Sequence, residues 1–476
     1  MSWGVADRNI SIYGYGSQLQ LNNLGNTGGP GNYGYWLGLI DKLVVRQIRG
    51  AGNQDPLVST AQLAKFFNLG EAVIEDVDVD YTATGVMCTG PWRRLEIRRV
   101  TGNNMTDDCI ELAGDQAPAF VAGTLSEGDM YETVVEGVNN NGTKQVGIYS
   151  QKAIYRNNIE LKDVYGFSTG GSAFGITAWA DTTGTVPVGL LDTLKVRNLK
   201  WAGSDGRAGL SFQRITITDL DVDFEVKTAV AGNTANRYFV AQYCAFTHSK
   251  IRAVLNPTAN FTLAYAPIIW DDGAFTTDVI FDRVNLNGNT ELWNQNAGTL
   301  PKVTMNDCVY NGSSSIAIIR QTAGAIINQL VLNNLYVNSA NGGFSFSNIQ
   351  KIQCNGVECN NSNELFQVTA NACEFSGSGV NMIAGGTLIA GYNAAVVTSK
   401  LTGVANETAH WARSGGTATF NPKSFDIRQS TLTTGIVIAI GNFMTHTGVT
   451  NPGPAISNAT GYYSQAMGAA VPGLCA

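Results

Sequence analysis

Charge is what this chain has least of. Asp, Glu, Lys and Arg together make up 14% of its 476 residues, against about 25% in an average soluble domain. With 54 Gly and abundant Asn, Ser and Thr, the chain is biased towards turns and strands and away from exposed helix. Lys and Arg are outnumbered, giving a formal net charge of −7, so the clustered cations that neutralise phosphates are missing and nucleic acid is excluded as the main partner. Apolar runs long enough to cross a bilayer are also missing, and "MSWGVADRN" has no basic stretch leading into an apolar one. Neither a signal peptide nor membrane insertion is expected. There are only 3 histidines, with no HxxxH and no CxxC spacing, so no metal and no cofactor is expected. The 8 cysteines follow no framework spacing; they read as free thiols used as small core residues, in a chain assembled in a reducing cytoplasm.

What the sequence does have is a repeat. Length alone would allow two or three compact domains, but one pattern recurs through most of the chain: apolar, any residue, apolar, two polar or turn residues, apolar. It reads "LEIRRV" at 95, "IELKDV" at 159, "LKVRNL" at 194, "ITITDL" at 215, "VIFDRV" at 279, "VTMNDC" at 303, "LVLNNL" at 330 and "IQCNGV" at 352. Weaker copies stand at 10, 43, 133 and 373. The intervals vary over roughly 21 to 38 residues, as expected when a fixed strand core carries loops of different length.

The period of two inside each copy makes it a strand with one buried face, and the polar pair turns the backbone. A second short strand follows in many copies, as in "CIEL" at 109, "VGIYS" at 146, "FGITAW" at 174 and "AGLSF" at 208. One such unit cannot close a core, but stacked parallel units can. The expected fold is therefore all-β, a right-handed parallel β-helix over residues 1–400, with Ile97, Leu161, Val196 and Ile217 superposed in consecutive layers. A leucine-rich horseshoe is excluded by the absence of its LxxLxLxxN signature.

Stacking also aligns polar residues. Arg46, Glu75, Arg98, Glu136, Lys162 and Arg197 follow the central apolar residue in successive copies, and Asn306, Asn333 and Asn355 do so later. They form either a ladder of ion pairs and stacked amides or, through Arg98, Lys162 and Arg197, a basic strip facing an acidic sugar.

The segment "TGNNMTDDCIELAGD" at 101 concentrates carboxylates. Laying Ile110 over Val146, Phe174 and Ala208 sets Asp108 over Lys144 and Ser172, aligns Asp107 with Asp205 and Cys109 with Arg207, and stacks Gly147, Gly175 and Gly209 over Glu111. The outer wall then gathers Asp107, Asp108, Glu111, Lys144, Asp205 and Arg207 beside a glycine trench. Glycoside hydrolysis needs one carboxylic acid and one carboxylate held near each other, and Asp107 or Asp108 with Glu111 or Asp205 supplies such a pair. The alternative is a turn feeding a strand, because Asp is favoured where the chain bends.

A second candidate is "APIIWDDGAF" at 266, where Trp270 offers an aromatic face with Asp271 and a further catalytic carboxylate, Asp272; DDG is equally a turn signal. Elimination chemistry would need a base, for which Lys144, Tyr149 and Arg207 qualify. His248, His410 and His446 each stand alone and read as structural.

The repeat, together with "ISIYGYGSQLQLNN" near the start and "RRLEIRRVTGNNMTDDCIELAG", resembles the pectin-lyase-like superfamily over roughly residues 5 to 400. That superfamily includes polygalacturonases and bacteriophage tailspike depolymerases. "DDCIEL" is similar to the paired-Asp motif of the polygalacturonases, with Asp107 and Asp108 at the matching positions. The Gly-His-Gly that follows in those enzymes is missing, and the resemblance to tailspikes is the fuller one. It implies a homotrimer that binds and cleaves bacterial capsular or O-antigen polysaccharide, preferably as a glycoside hydrolase rather than a lyase. It also implies a place in the virion tail, joined to the baseplate through an N-terminal attachment domain missing from this chain.

The repeat fades near residue 400, and residues 401–476 read as a region that caps the last strands and joins three chains. A monomer with a simple cap is the alternative. A binding-only adhesin and a secreted plant-polysaccharide enzyme remain as alternative functions.

Overall fold

The computed structural model describes residues 9–15, 18–20, 33–52, 62–113, 130–140, 144–150, 158–168, 174–180, 189–203, 209–227, 238–256, 269–288, 291–312, 317–322, 324–339, 343–360, 364–369, 372–391, 396–402, 404–413, 424–426, 443–446, 461–464 and 469–470. Among them there are strands, turns and bends and no helix. The fold is all-β. Among the described residues the registered ladders are parallel, as in Tyr33–Ala51 with Gln62–Asp80, and a short antiparallel contact joins Gly461–Ser464 to Ala469–Ala470. The chain forms two compact units, Met1–Ser249 and Lys250–Ala476. Most of the expected capping region from 401 onward lies outside the described residues.

In the first unit the strands Tyr33–Ala51, Gln62–Asp80, Thr84–Asn103, Met130–Asn140, Asn158–Ser168 and Gly189–Gly203 pair each with the next. Register superposes Val45, Ile74, Ile97, Val135, Leu161 and Val196, all fully buried. Each such side chain contributes about 1.5–3 kcal/mol relative to exposure. Ile217 departs from the expected position: it pairs with Leu191, and Val222 continues the column from Val196. The segment "ITITDLDVDF" contains two overlapping apolar alternations, and the second one takes the register. A polar interruption of the core has a local cause, since buried Trp92 donates its indole N–H to Thr133 Oγ1 at 2.8 Å.

The polar pair of the repeat is a corner. Its second residue has positive φ in Gln47, Arg99, Gly137, Asp163 and Asn198 of the first unit and in Arg283, Asp307, Asn334 and Gly356 of the second. One left-handed residue redirects the strand without breaking the ladder on either side. Arg99 is held there by the neighbouring repeat, meeting Asp76 at 2.6 Å and Glu75 at 2.8 Å. Asn334 donates to Asp307 Oδ1 at 3.0 Å.

The expected polar column exists. Arg46, Glu75, Arg98, Glu136, Lys162 and Arg197 are direct register partners. Arg46 and Glu75 pair along the column at 2.5 Å, whereas Arg98 turns to Glu96, Lys162 to Glu160 and Arg197 to Asp221. In the second unit Asn355 donates to Asn333 and Asn333 to Asn306, both at 2.8 Å. A parallel amide pair joins Asn311 to Asn287 at 2.9 Å. Stacked amides of this kind cover a surface that carries little charge.

The second unit repeats the pairing through Phe275–Asp282, Thr299–Asn306, Ile326–Ser339, Ile349–Asn360 and Ala372–Gly391. Its core includes stacked Phe344 and Phe366, 5.4 Å apart at 20°. Cys88, Cys109, Cys244, Cys308, Cys354, Cys359 and Cys373 are free and buried, as expected of small core residues.

Candidate functional site

The short strand Asp108–Ala113 lies between Thr84–Asn103 and Lys144–Ser150, and the ladder continues through Phe174–Ala180 and Leu210–Gln213. Its inner column is Val86, Ile110, Val146, Ile176 and Leu210, each fully buried. The expected partners Phe174 and Ala208 are therefore two residues out of place. A slip of two keeps every side chain on its own face, so alternation in the sequence cannot detect it. Here the ends of the strand decide, because Phe174 pairs with Lys144, and Lys144 with Asp108.

The corrected register changes the face around Glu111. Its column runs Lys65, Met87, Glu111, Gly147, Thr177, Ser211. Of the expected glycine trench only Gly147 remains over Glu111. Gly175 has another use: a Cβ there would lie 2.5 Å from the Gly209 carbonyl oxygen, so these two repeats approach backbone to backbone. Lys65 is buried, and burial pulls its pKa below the usual range while the Glu111 carboxylate pushes it back up. Glu111 keeps partial exposure. In the adjoining column, Trp179 is partly exposed, stands next to the position of Tyr149, and donates to Ser211 Oγ at 3.4 Å. Thr177 Oγ1 and Thr89 Oγ1 on this face are buried without a hydrogen-bond partner among the described residues.

The three carboxylates of "TDDCIEL" thus separate. Asp107 stands in the bend before the strand, its N–H donating to Ala83 O at 3.0 Å, and is partly exposed. Asp108 is 1% exposed, on the side of Ile110 and Leu112, which removes it from the outer wall where it was expected. The neighbouring Cys109 thiol is pushed up chiefly by its own burial and further by the charge of Asp108. Asp205 and Arg207 lie outside the described residues, and so do the side chains of Lys144, Tyr149 and Trp270.

In the second unit Asp271 is a structural turn residue. It is 1% exposed and accepts from Trp293 Nε1 at 2.6 Å and from the N–H groups of Gly273 and Ala274 at 3.1 Å. Asp271, Gln295 and Gln321 are register partners, and Gln321 donates to Gln295 at 3.2 Å, so DDG opens a buried polar ladder rather than a sugar contact. Asp272 beside it is exposed.

Glu291 is a residue the sequence did not single out. It is fully buried, with Arg320 Nε 2.6 Å from Oε1 in a geometry that is close without being aligned as a hydrogen bond. Burial pushes Glu291 up to about 7 despite Arg320, and pushes Asp271 up to about 6. Both stand above their ordinary values of 4.5 and 3.8, so folding takes up protons between the two limits. These groups therefore stabilise the fold least at high pH: stability falls as pH rises from the ordinary value through the folded one, by about 3 kcal/mol for each group. We expect the melting temperature of Glu291→Gln to change less between pH 5 and pH 8 than that of the wild type; equal changes would contradict the assignment.

Among the described residues no group of three His, Cys, Asp or Glu side chains is placed to hold a metal ion. Comparison of the chain with protein-family models, with curated proteins and with solved structures gives no match.

Proposed function

We propose that the parallel repeats wind as a right-handed parallel β-helix, and that the protein is a homotrimeric bacteriophage tailspike that binds and cleaves bacterial capsular or O-antigen polysaccharide. The observation that carries this reading is the face around Glu111. A partly exposed carboxylate shares a column with buried Lys65 and has no side chain over it at Gly147, and the adjoining column carries a partly exposed aromatic ring at Trp179, two strands further on. Aromatic faces stack on sugar rings, and carboxylates move the protons of glycosidic cleavage.

Asp107 and Glu111 form the working pair. One carboxyl group protonates the leaving oxygen and the other activates water or attacks, as paired carboxylates do in glycoside hydrolysis. One observation favours elimination as a second reading: an amine, Lys65, stands in the column of Glu111, and burial lowers its pKa. Digestion of a panel of purified capsular and O-antigen polysaccharides separates the readings. Hydrolysis yields saturated oligosaccharides, elimination yields products with ultraviolet absorbance from an unsaturated uronate, and retention without products identifies an adhesin.

A further inference from the structure

A groove of about 610 Å³ lies on a different face of the first unit, lined by Tyr15, Gln47, Arg49, Asp76, Asp78, Arg99 and Thr101. Three features define what it fits. The first is an aromatic platform. Tyr13 is 43% and Tyr15 81% exposed, far more than large apolar rings usually are, and the two rings stack at 5.9 Å and 29°. This presentation is built: Tyr15 sits at φ 49° and Gly14 passes so close to the next strand that a Cβ there would lie 2.1 Å from the Gln47 carbonyl oxygen. The N–H of Gly14 donates to Arg46 O at 2.9 Å and ties the turn down. Left-handed residues recur at the corners of the repeats, and here the turn leaves the Tyr15 ring exposed.

The second feature is charge balance. Arg49 meets Asp78 at 3.1 Å, and Arg99 meets Asp76 at 2.6 Å and Glu75 at 2.8 Å. The hydrogen bond from Arg99 holds Asp76 below the usual carboxylate range. Two arginines and two aspartates line the groove, so it has no excess positive charge for a phosphate or a uronate. The third is rigidity. Arg49, Asp78 and Thr101 are register partners on neighbouring strands, and Gln47, Asp76 and Arg99 occupy the left-handed corner of theirs. Donors and acceptors are thereby fixed before any ligand arrives.

We propose that this groove is a second saccharide-binding site, which takes an uncharged sugar unit of the polymer on the face of Tyr15 and hydrogen-bonds its hydroxyls through the paired side chains of Arg49, Asp78 and Arg99. An exposed ring for stacking, planar polar groups around it and a volume within the roughly 300–1,000 Å³ of small-molecule sites are what such a ligand requires. The inference rests on the polysaccharide reading for its class of ligand, and not on the chemistry at Glu111. It gives the protein a hold on the polymer that does not depend on cleavage.

The test is equilibrium binding of purified capsular and O-antigen polysaccharides to the immobilised 476-residue chain, comparing wild type, Tyr15→Ala and Asp78→Ala, with product analysis on the same samples. Tyr15 is exposed, so its replacement leaves the fold intact, which the melting temperature checks. The expected result is binding weakened at least about tenfold by Tyr15→Ala, with a smaller loss in Asp78→Ala. Unchanged binding in both variants overturns the proposal, and so does retention of no polysaccharide by the wild type. A changed oligomeric state with unchanged sugar binding also overturns it, and makes the groove a protein contact. Tyr15-dependent binding without cleavage sustains the groove and removes the depolymerase reading; cleavage with binding unchanged in both variants does the reverse.

Discussion

Glu111→Gln is expected to abolish cleavage of the polysaccharide that the wild type degrades, lowering the rate by about 10²–10⁴-fold while the chain stays folded. The amide keeps the size of the carboxylate and removes its ability to hold or give up a proton. Glu111 is partly exposed on the strand Asp108–Ala113, so the change reaches the ligand more than the core. Asp107→Asn should slow the reaction in the same way, as the other member of the pair. Asp108→Asn should behave differently despite its neighbouring place in "TDDCIEL". Its side chain is buried beside Ile110, so its replacement acts through stability, with the rate per folded molecule near that of wild type. Rates on purified polysaccharide, corrected for the folded fraction by circular dichroism, separate the three. A fully active Glu111→Gln would move the chemistry elsewhere.

Gly377→Ala is expected to be the most damaging single methyl in the second unit. Gly377 has φ 109°, and a Cβ there would lie 2.0 Å from the Cys354 carbonyl oxygen and 2.9 Å from its carbon. Both neighbours are backbone of the adjoining strand, which cannot yield without opening the ladder from Lys351 to Ser378. Steric overlap of this kind, added to a positive φ, places the loss at no less than about 3 kcal/mol, near the upper end for single substitutions. Gly324→Ala is the control, since no atom lies within 4 Å of a Cβ at that position. Thermal melting should show a large drop for the first and none for the second. Equal melting temperatures would mean that the two strands are not packed as described.

The repeat could be read from the sequence because its physics is local. Alternation fixes the buried face, and a polar pair in "LKVRNL" or "LVLNNL" marks a corner because Asn, Asp and Gly tolerate positive φ. Arg99 and Gln47 occupy the same corner without that tolerance, and only their place in the pattern reveals them. Register was less legible, because Phe174 and Ile176 satisfy alternation equally, and a strand end seen only in three dimensions selects between them. Lys65 illustrates a third limit. In "QLAKFFNLG" it is a lone cation in an apolar strand, a signal of burial with a partner, but nothing local says that the partner is Glu111, two repeats away. Asp271 was legible as a turn from DDG, and its indole partner Trp293 was not, because that contact crosses between repeats.

The most direct test of the account is a crystal structure of Glu111→Gln soaked with an oligosaccharide from the polymer that the wild type cleaves. The expected result is a sugar ring over Trp179 and a glycosidic oxygen within hydrogen-bond reach of residue 111. An oligosaccharide seated on the second unit, with the face around residue 111 bare, would contradict it.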